Sequence, residues 1–530
     1  MRLLVATFST ALIASLVLTP IVRILARRWG LVDHPDKHRK LHEHATPLGG
    51  GAAVLMAFLV AVAVVLIFSD SQRSQIAENA SFFVGLISAS ILICVIGLVD
   101  DRFGLRGRQK LAGQVVAAGI VAASGLMIDK LQVFGFTLEL GPLAVPFTVF
   151  FILGAINALN FIDGLDGLAT SVGIVLSVAI AVMATLAGHP VEAFLALAVA
   201  GALIGFLFYN SPPASIFLGD AGSMLIGLVL GALAIRASLK GPATIVLAAP
   251  MAIWAIPIFD VTMAILRRRL TGRSIYTTDH GHLHHALQQY GFSNRKTVLI
   301  VGLLATVTAA GAALSVYMNN ELMAYAAIIA VCAVLVAARI FGHQECSLLF
   351  RRLKELGLSL VPRLKKDRHA PIQLSTRFRG NREWEELWET LKTYAERFDL
   401  TMVDLNVSLP SIGEEFHASW RRPTPLDEES PWQSVIPLVA RQVTVGRIRI
   451  AGASRGGRVC SWMSELIAGL EPFETQIQDL MQEEDSRFSP DFDLAGSADS
   501  SPAENPELTA LDSDTAVSLL GTSKQGEARI

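Results

Sequence analysis

Several short stretches combine residue types able to handle phosphate and metal. Asn157-Ala158-Leu159-Asn160-Phe161-Ile162-Asp163-Gly164-Leu165-Asp166-Gly167 sets two amides and two carboxylates among apolar neighbours. On a helix Asn157, Asn160 and Asp163 fall at successive i, i+3 positions, and Gly164 and Gly167 loosen the backbone. Hard oxygen ligands without a full cage suit Mg²⁺, which takes one or two protein oxygens and completes its octahedron with phosphates and water. An EF-hand has a different spacing. Helix capping explains each residue separately but not four polar groups flanked by Phe and Ile.

Gly97-Leu98-Val99-Asp100-Asp101-Arg102 ends one apolar run, and Lys110-Leu111-Ala112-Gly113-Gln114 opens the next. Adjacent carboxylates at a membrane boundary favour a raised pKa on one of them or a shared cation; ion pairing with Arg102, Arg106 and Arg108 is the plainer alternative. Lys110 is placed to meet an anionic lipid headgroup. In Phe217-Leu218-Gly219-Asp220-Ala221-Gly222-Ser223 an acid bracketed by glycines precedes another apolar run, so Asp220 serves as a metal ligand or as a helix cap. Asp260 and Arg267-Arg268-Arg269 precede His280, His282, His284 and His285. Four histidines so close could bind zinc, yet no thiolates accompany them, and with the arginines a diphosphate clamp fits better. A further loop, from Asp33 to His44, carries Lys37, Arg39 and Lys40 ahead of Gly49-Gly50-Gly51, which reads either as a phosphate-holding turn or as a basic loop and a flexible helix start.

The elements that must position these residues are membrane spans. Of 530 residues, 52% are hydrophobic and 17% charged, and the apolar residues fall in runs of about 20, which excludes both a soluble enzyme and a disordered chain. Eleven spans are expected, near 2–22, 48–69, 80–99, 111–128, 143–160, 167–187, 191–209, 221–236, 242–266, 297–317 and 322–342. The first is retained as an anchor because it lacks a signal-peptide cleavage pattern. The loops 23–47, 100–110 and 267–296 hold sixteen Lys and Arg against four in the segments on the opposite side, which puts the former in the cytoplasm and the N-terminus outside. The same assignment makes the loops bearing Asp163, Asp166 and Asp220 cytoplasmic without any Lys or Arg of their own, so a cation from elsewhere is expected there.

The expected fold is therefore an all-α polytopic membrane bundle of about 11 transmembrane helices over residues 1–342, followed by a small cytoplasmic α/β domain and a disordered tail. A basic amphipathic linker, 343–371, suits an anionic leaflet or packing on the next domain. Residues 372–484 read as the α/β domain: a helix near 383–398, strands near 402–409, 415–420, 434–439 and 443–451, and a second helix near 459–481. The stretch 485–530 is rich in Ser, Asp, Glu and Pro and is expected to be disordered. Cys94, Cys332, Cys346 and Cys460 are too scattered for a disulfide framework and read as packing residues.

Taken together, Asp100-Asp101, Asn157 to Gly167, Gly219 to Ser223 and His282-Leu283-His284-His285 resemble, in order, the motifs of the polyprenyl-phosphate N-acetylhexosamine-1-phosphate transferases over residues 1–345. The H-x-H-H form is similar to the WecA-type branch that uses UDP-N-acetylglucosamine rather than to the MraY branch that handles muramyl-pentapeptide. The resemblance implies transfer of a sugar-1-phosphate from UDP-N-acetylglucosamine to undecaprenyl phosphate, releasing UMP and starting a lipid-linked surface polysaccharide at the bacterial inner membrane. It implies Mg²⁺, or Mn²⁺, held by Asn160 and Asp220. Asp100, Asp101 and Asp163 would be catalytic, with Asp100 or Asp101 the candidate base. Lys110 would meet the lipid phosphate, and Asn157, Asp166, Arg269, His282, His284 and His285 would bind substrate. Membrane lipids are expected partners and nucleic acid is not; a homodimer and a protein partner of the C-terminal domain stay open.

Other readings remain at this point: another UDP-N-acetylhexosamine, a transporter or lipid flippase, or a scaffold that recruits through its tail. Acids grouped at span ends on one face disfavour transport, which places ionisable groups near the bilayer midplane.

Overall fold

The computed structural model describes residues 2–33, 45–241, 244–271, 281–360, 372–379, 384–398, 400–409, 414–422, 431–440 and 443–453. The chain begins with α1 (Arg2–Arg28), a two-residue ladder of β1 (Val32–Asp33) and β2 (Thr46–Pro47), α2 (Gly50–Phe68), α3 (Asp70–Glu78), α4 (Ala80–Phe103) and α5 (Gly107–Ala123). A hairpin of β3 (Lys130–Val133) and β4 (Phe136–Glu139) precedes α6 (Ala144–Ile162), α7 (Leu168–Ala187), α8 (Pro190–Asn210) and α9 (Gly219–Ala237). Then come β5 (Leu239–Gly241), β6 (Thr244–Val246), α10 (Ala248–Ile253), α11 (Ala255–Leu270), α12 (Leu283–Gln289), α13 (Asn294–Met318), α14 (Glu321–Ala337) and α15 (His343–Leu360).

Eight of the described helices, α1, α2, α4, α6, α7, α8, α9 and α13, are long and apolar enough to cross a membrane. This is a multi-pass membrane protein, and three of the expected spans differ from simple crossings. α5 and α14 are 17 residues each. The run 242–266 is not one helix: its start forms β6, and the rest divides at Trp254 into α10 and α11. Pro257 explains the division, because its ring collides with the carbonyl four residues back, that of Ile253, where α10 ends. α11 then continues to Leu270, so Arg267, Arg268 and Arg269 sit on its last turn rather than in a loop.

Within the bundle burial rises from 28% of the most apolar window in α1 to 89% in α9, which makes α9 the central helix. Apolar side chains facing lipid gain nothing from helix association, so close packing of small residues has to hold such a bundle together. α9 shows it. A Cβ on Gly51 of α2 would lie 2.3 Å from the Gly222 nitrogen, and one on Gly97 of α4 would lie 2.2 Å from the Ala221 Cα. Backbones of α2 and α4 therefore touch the first turn of α9, where Asp220 lies. At the far ends of the helices β3, β4, β5 and β6 form a four-stranded sheet in the order β4-β3-β6-β5, with β3 and β6 parallel; the span pattern did not anticipate it.

The C-terminal part contains β7 (Ile372–Arg379), α16 (Trp384–Arg397), β8 (Leu400–Leu409), β9 (Glu414–Arg421), β10 (Pro431–Ala440) and β11 (Val443–Ala453). They form an antiparallel sheet in the order β10-β11-β8-β9-β7, with Trp384, Leu387, Trp388 and Leu391 of α16 buried. β7 is one strand more than the alternation predicts. The helix expected near 459–481 and the tail 485–530 lie outside the described residues. Cys94, Cys332 and Cys346 are unbridged, and Cys460 lies outside the described residues.

Candidate active site

The two adjacent acids at the end of α4 take separate partners. The Asp100 carboxylate accepts from the Leu105 backbone N–H at 2.7 Å, which closes the turn after α4, and faces the Lys110 ammonium at 2.9 Å. Asp101 accepts from the backbone N–H groups of Asp220 and Ala221, at 2.8 and 3.3 Å. Those amides belong to the first turn of α9, where donors are unsatisfied by the helix and a negative charge is favoured. Gly219 makes this approach feasible: its φ is +73°, and a Cβ there would lie 2.5 Å from Asp101 Oδ2.

Asp220 is the meeting point. One oxygen lies 2.9 Å from the Lys110 ammonium, and the other accepts from the Asn160 amide. Asn160 also donates to Ser223 Oγ at 2.9 Å, one turn along α9 from Asp220. Four helices, α4, α5, α6 and α9, thus contribute Asp100, Asp101, Lys110, Asn160, Asp220 and Ser223 to a single hydrogen-bonded cluster. The cation missing from the acidic loops comes from α5. Asn157, one turn before Asn160, donates instead to Gln114 Oε1 on α5 at 2.9 Å, and Gln114 is buried against Met224. Asn157 therefore holds α6 to α5 beneath the cluster.

Asp163 follows the last residue of α6. Burial pushes its carboxyl well above the usual carboxylate range; the charges of Asp220, Asp101 and Asp166 push it the same way, and Lys110 only partly opposes them. Asp163 has no ion-pair partner among the described residues. Asp166 accepts from the Ala214 backbone N–H at 2.9 Å, tying this loop to the segment between α8 and α9. Thr170 and Asn210 extend the tie: Thr170 donates to Asn210, which donates to the Ile216 carbonyl.

The histidines reach the cluster through Gly164 and Phe161. A Cβ on Gly164 would lie 2.4 Å from His284 Nε2, and the Phe161 ring stacks on His282 at 6.0 Å between centroids. His282 and His284 are parallel at 5.9 Å, and His285 lies 4.2 Å from His284. His282 and His284 are buried, whereas His285 is half-buried with Nδ1 3.4 Å from Gln288 Oε1. Asp260 of α11, itself 1% exposed, sets the register: one oxygen lies 2.8 Å from His282 Nδ1 and the other accepts from the Leu283 N–H at 2.7 Å. A carboxylate on Nδ1 keeps the proton on that nitrogen and leaves Nε2 as the acceptor in the neutral ring.

Arg269 is exposed at the end of α11 and takes no part in these contacts, whereas Arg267 and Arg268 are buried. The residues that sequence reasoning left without a role are Asp260, Gln114 and Ser223. Asp260 had a visible signal, since a carboxylate within an apolar span needs a partner. Gln114 had less, because a lone amide in a span reads as packing.

Among the described residues no group of three His, Cys, Asp or Glu side chains is arranged to hold a metal by itself. The donor chemistry nevertheless fits a hard cation: Asp163 feels the charges of Asp101 and Asp220, Asn160 is bonded to Asp220, and Lys110 offsets this negative charge only in part. A divalent ion sharing its coordination with phosphates needs only such a partial set.

Residues 83–238 match the family model described as glycosyl transferase family 4. The chain is 35% identical over 306 residues to the probable undecaprenyl-phosphate N-acetylglucosaminyl 1-phosphate transferase of Bacillus subtilis, covering 57% of this chain and 82% of that relative. It is 35% identical over 338 residues to the decaprenyl-phosphate N-acetylglucosaminephosphotransferase of Mycobacterium tuberculosis, covering 58% and 82%. It is 31% identical over 289 residues to the phospho-N-acetylmuramoyl-pentapeptide-transferase of Clostridium kluyveri, covering 52% and 86%. A helical membrane body with these relatives defines the class as a membrane-bound transferase. The chain belongs to the polyprenyl-phosphate N-acetylhexosamine-1-phosphate transferase family.

Proposed function

We propose that the protein transfers N-acetylglucosamine-1-phosphate from UDP-N-acetylglucosamine to undecaprenyl phosphate, releasing UMP and starting a lipid-linked surface polysaccharide. The observation that carries this reading is the convergence of Asp100, Asp101, Lys110, Asn160 and Asp220 from four helices onto one cluster. The names of the Bacillus and Mycobacterium relatives support the lipid phosphate and the N-acetylglucosaminyl group.

An oxygen of the lipid phosphate attacks the β-phosphorus of the nucleotide sugar, the bond to the bridging oxygen breaks, and UMP leaves with that oxygen. A phosphate monoester with a second pKa of about 6 is mostly dianionic at neutral pH, so direct attack does not require a base. Bound Mg²⁺, held by Asp220 and Asn160 with Asp163 beside them, would offset repulsion between the two anionic reactants. Lys110 orients the Asp100 and Asp220 carboxylates and, in this reading, meets the lipid phosphate. Asp101 fixes the first turn of α9 and so the place of Asp220. His282, His284 and His285 contact the diphosphate, with Asp260 setting the His282 ring; Arg269, exposed on the last turn of α11, offers a further cation to the nucleotide.

The Lys and Arg distribution supports a cytoplasmic site and, with eleven crossings counted by taking α5, α10 with α11, and α14 as spans, an outside N-terminus; the bacterial inner membrane is the location this reading assigns. The chain reconstituted in bilayer nanodiscs releases UMP from UDP-N-acetylglucosamine only when undecaprenyl phosphate and Mg²⁺ are both present, and Asp220→Ala loses this while remaining folded. A UDP-sugar panel against this acceptor fixes the sugar. Wild-type turnover by Asp220→Ala, or UMP release without the lipid, would refute the reading.

A further inference from the structure

α11 carries Asp260 and Arg267 seven residues apart, two turns along one helix face. Asp260 grips His282 and Leu283; Arg267 grips the residue just before them. The Arg267 guanidinium donates to the Gly281 carbonyl at 2.9 Å. Its Nε donates to Glu345 Oε1 at 2.6 Å, and Nη2, the nitrogen that reaches Gly281, meets the same oxygen. Arg267 and Glu345 are 5% and 3% exposed, so neither charge has water to fall back on. Gly281 is fitted to this arrangement, because a Cβ there would lie 1.0 Å from Arg267 Nη1. Glu345 is in the first turn of α15, the helix that leads toward the C-terminal sheet. α15 is fastened to the end of α11 a second time, where Arg352 donates to the Leu270 carbonyl and Leu348 packs on Leu270.

We propose that Glu345 is a positioning residue for the histidine segment: it holds the Arg267 fork so that the Gly281 carbonyl, and His282 to His285 behind it, stay where a nucleotide diphosphate binds. The assignment of the histidines to the diphosphate rests on the function proposed above. A guanidinium offers donors in a fixed planar fork, so holding Nε and Nη2 on the Glu345 carboxylate aims Nη2 at the Gly281 carbonyl as well. With the carboxylate gone, the guanidinium loses the contact that fixes its orientation toward Gly281. Among the described residues Glu345 makes no hydrogen bond or ion pair with a histidine, and its contact toward the segment runs through Arg267. The helix that begins the C-terminal extension thereby shares with Asp260 in holding the substrate-facing segment.

The test uses the full chain in nanodiscs, with Glu345→Gln, Glu345→Asp and Gly281→Ala. Glu345→Gln and Gly281→Ala raise the KM for UDP-N-acetylglucosamine roughly tenfold, the lower end for partners that orient a ligating group, and leave kcat within about twofold. Backbone amide exchange speeds up over residues 282–287 and stays as in wild type over α9, and Glu345→Asp restores most of both properties. Gly281→Ala keeps both charged groups but displaces the fork sterically, so the same effect in both variants attributes it to the position of the fork rather than to a lost charge. Unchanged KM and exchange in Glu345→Gln, or exchange rising equally over α9, would overturn the proposal. Failure of the wild-type chain to release UMP would overturn the functional reading instead, and the exchange pattern would still decide the role of Glu345.

Discussion

Replacing Lys110 with methionine removes the ammonium that joins Asp100 to Asp220 while keeping a side chain of similar length. Each carboxylate lies 2.9 Å from the nitrogen. At that separation a pair is worth about 6 kcal/mol with an effective dielectric of 20, before desolvation is charged against it. Removing one partner of a buried pair typically costs about 3 to 5 kcal/mol. The Lys110 and Asp100 side chains are 19% and 8% exposed but Asp220 is 33% exposed, so water relieves part of the charge there. The expected loss is therefore about 3 kcal/mol, a factor on the order of 100 in the unfolding equilibrium. Reversible unfolding in mixed detergent micelles, followed by tryptophan fluorescence, measures it. Mg²⁺ should recover more stability in Lys110→Met than in wild type, since a ligand that binds only the folded state stabilises according to its affinity. A loss below about 1 kcal/mol, with equal Mg²⁺ effects on both proteins, would show that the carboxylates do not depend on a shared cation.

Asp260→Asn keeps the shape of the side chain but removes the charge that fixes the proton on His282 Nδ1; turnover is expected to fall about 10- to 100-fold with thermal unfolding unchanged. Gly51→Val must push α2 off the Gly222 backbone of α9, and steady-state unfolding should register a loss of about 1 to 3 kcal/mol or failure to assemble.

The spans were legible where composition alone decides, as in α2, α4, α7, α8 and α9, because about 20 apolar residues have no other stable place. Composition could not show that 242–266 is broken, although Pro257 carried the reason, nor that Thr244–Val246 pairs with Lys130–Gln132, a contact across more than a hundred residues. Asp100, Asp101, Asn160 and Asp220 stood out because each is a polar group at an apolar boundary. Their partners did not. Nothing local says that Lys110 bridges two acids from different helices, that Asp101 caps α9, or that Asn157 turns to Gln114 while Asn160 turns to Asp220. Arg269 stood out only as a member of a basic run, and it is the buried Arg267, not the exposed Arg269, that the helix face directs toward the histidine segment. Long-range pairing of side chains is set by helix packing, here by the close approaches at Gly51 and Gly97, and single-chain patterning does not encode it.

Binding of Mn²⁺ to the purified full chain, counted by electron paramagnetic resonance, bears most directly on the claim that acids from separate connections share one cation. One ion per chain is predicted, bound roughly tenfold more weakly in each of Asp101→Asn, Asp163→Asn and Asp220→Asn. Wild-type affinity in all three variants, or several independent ions per chain, would contradict it.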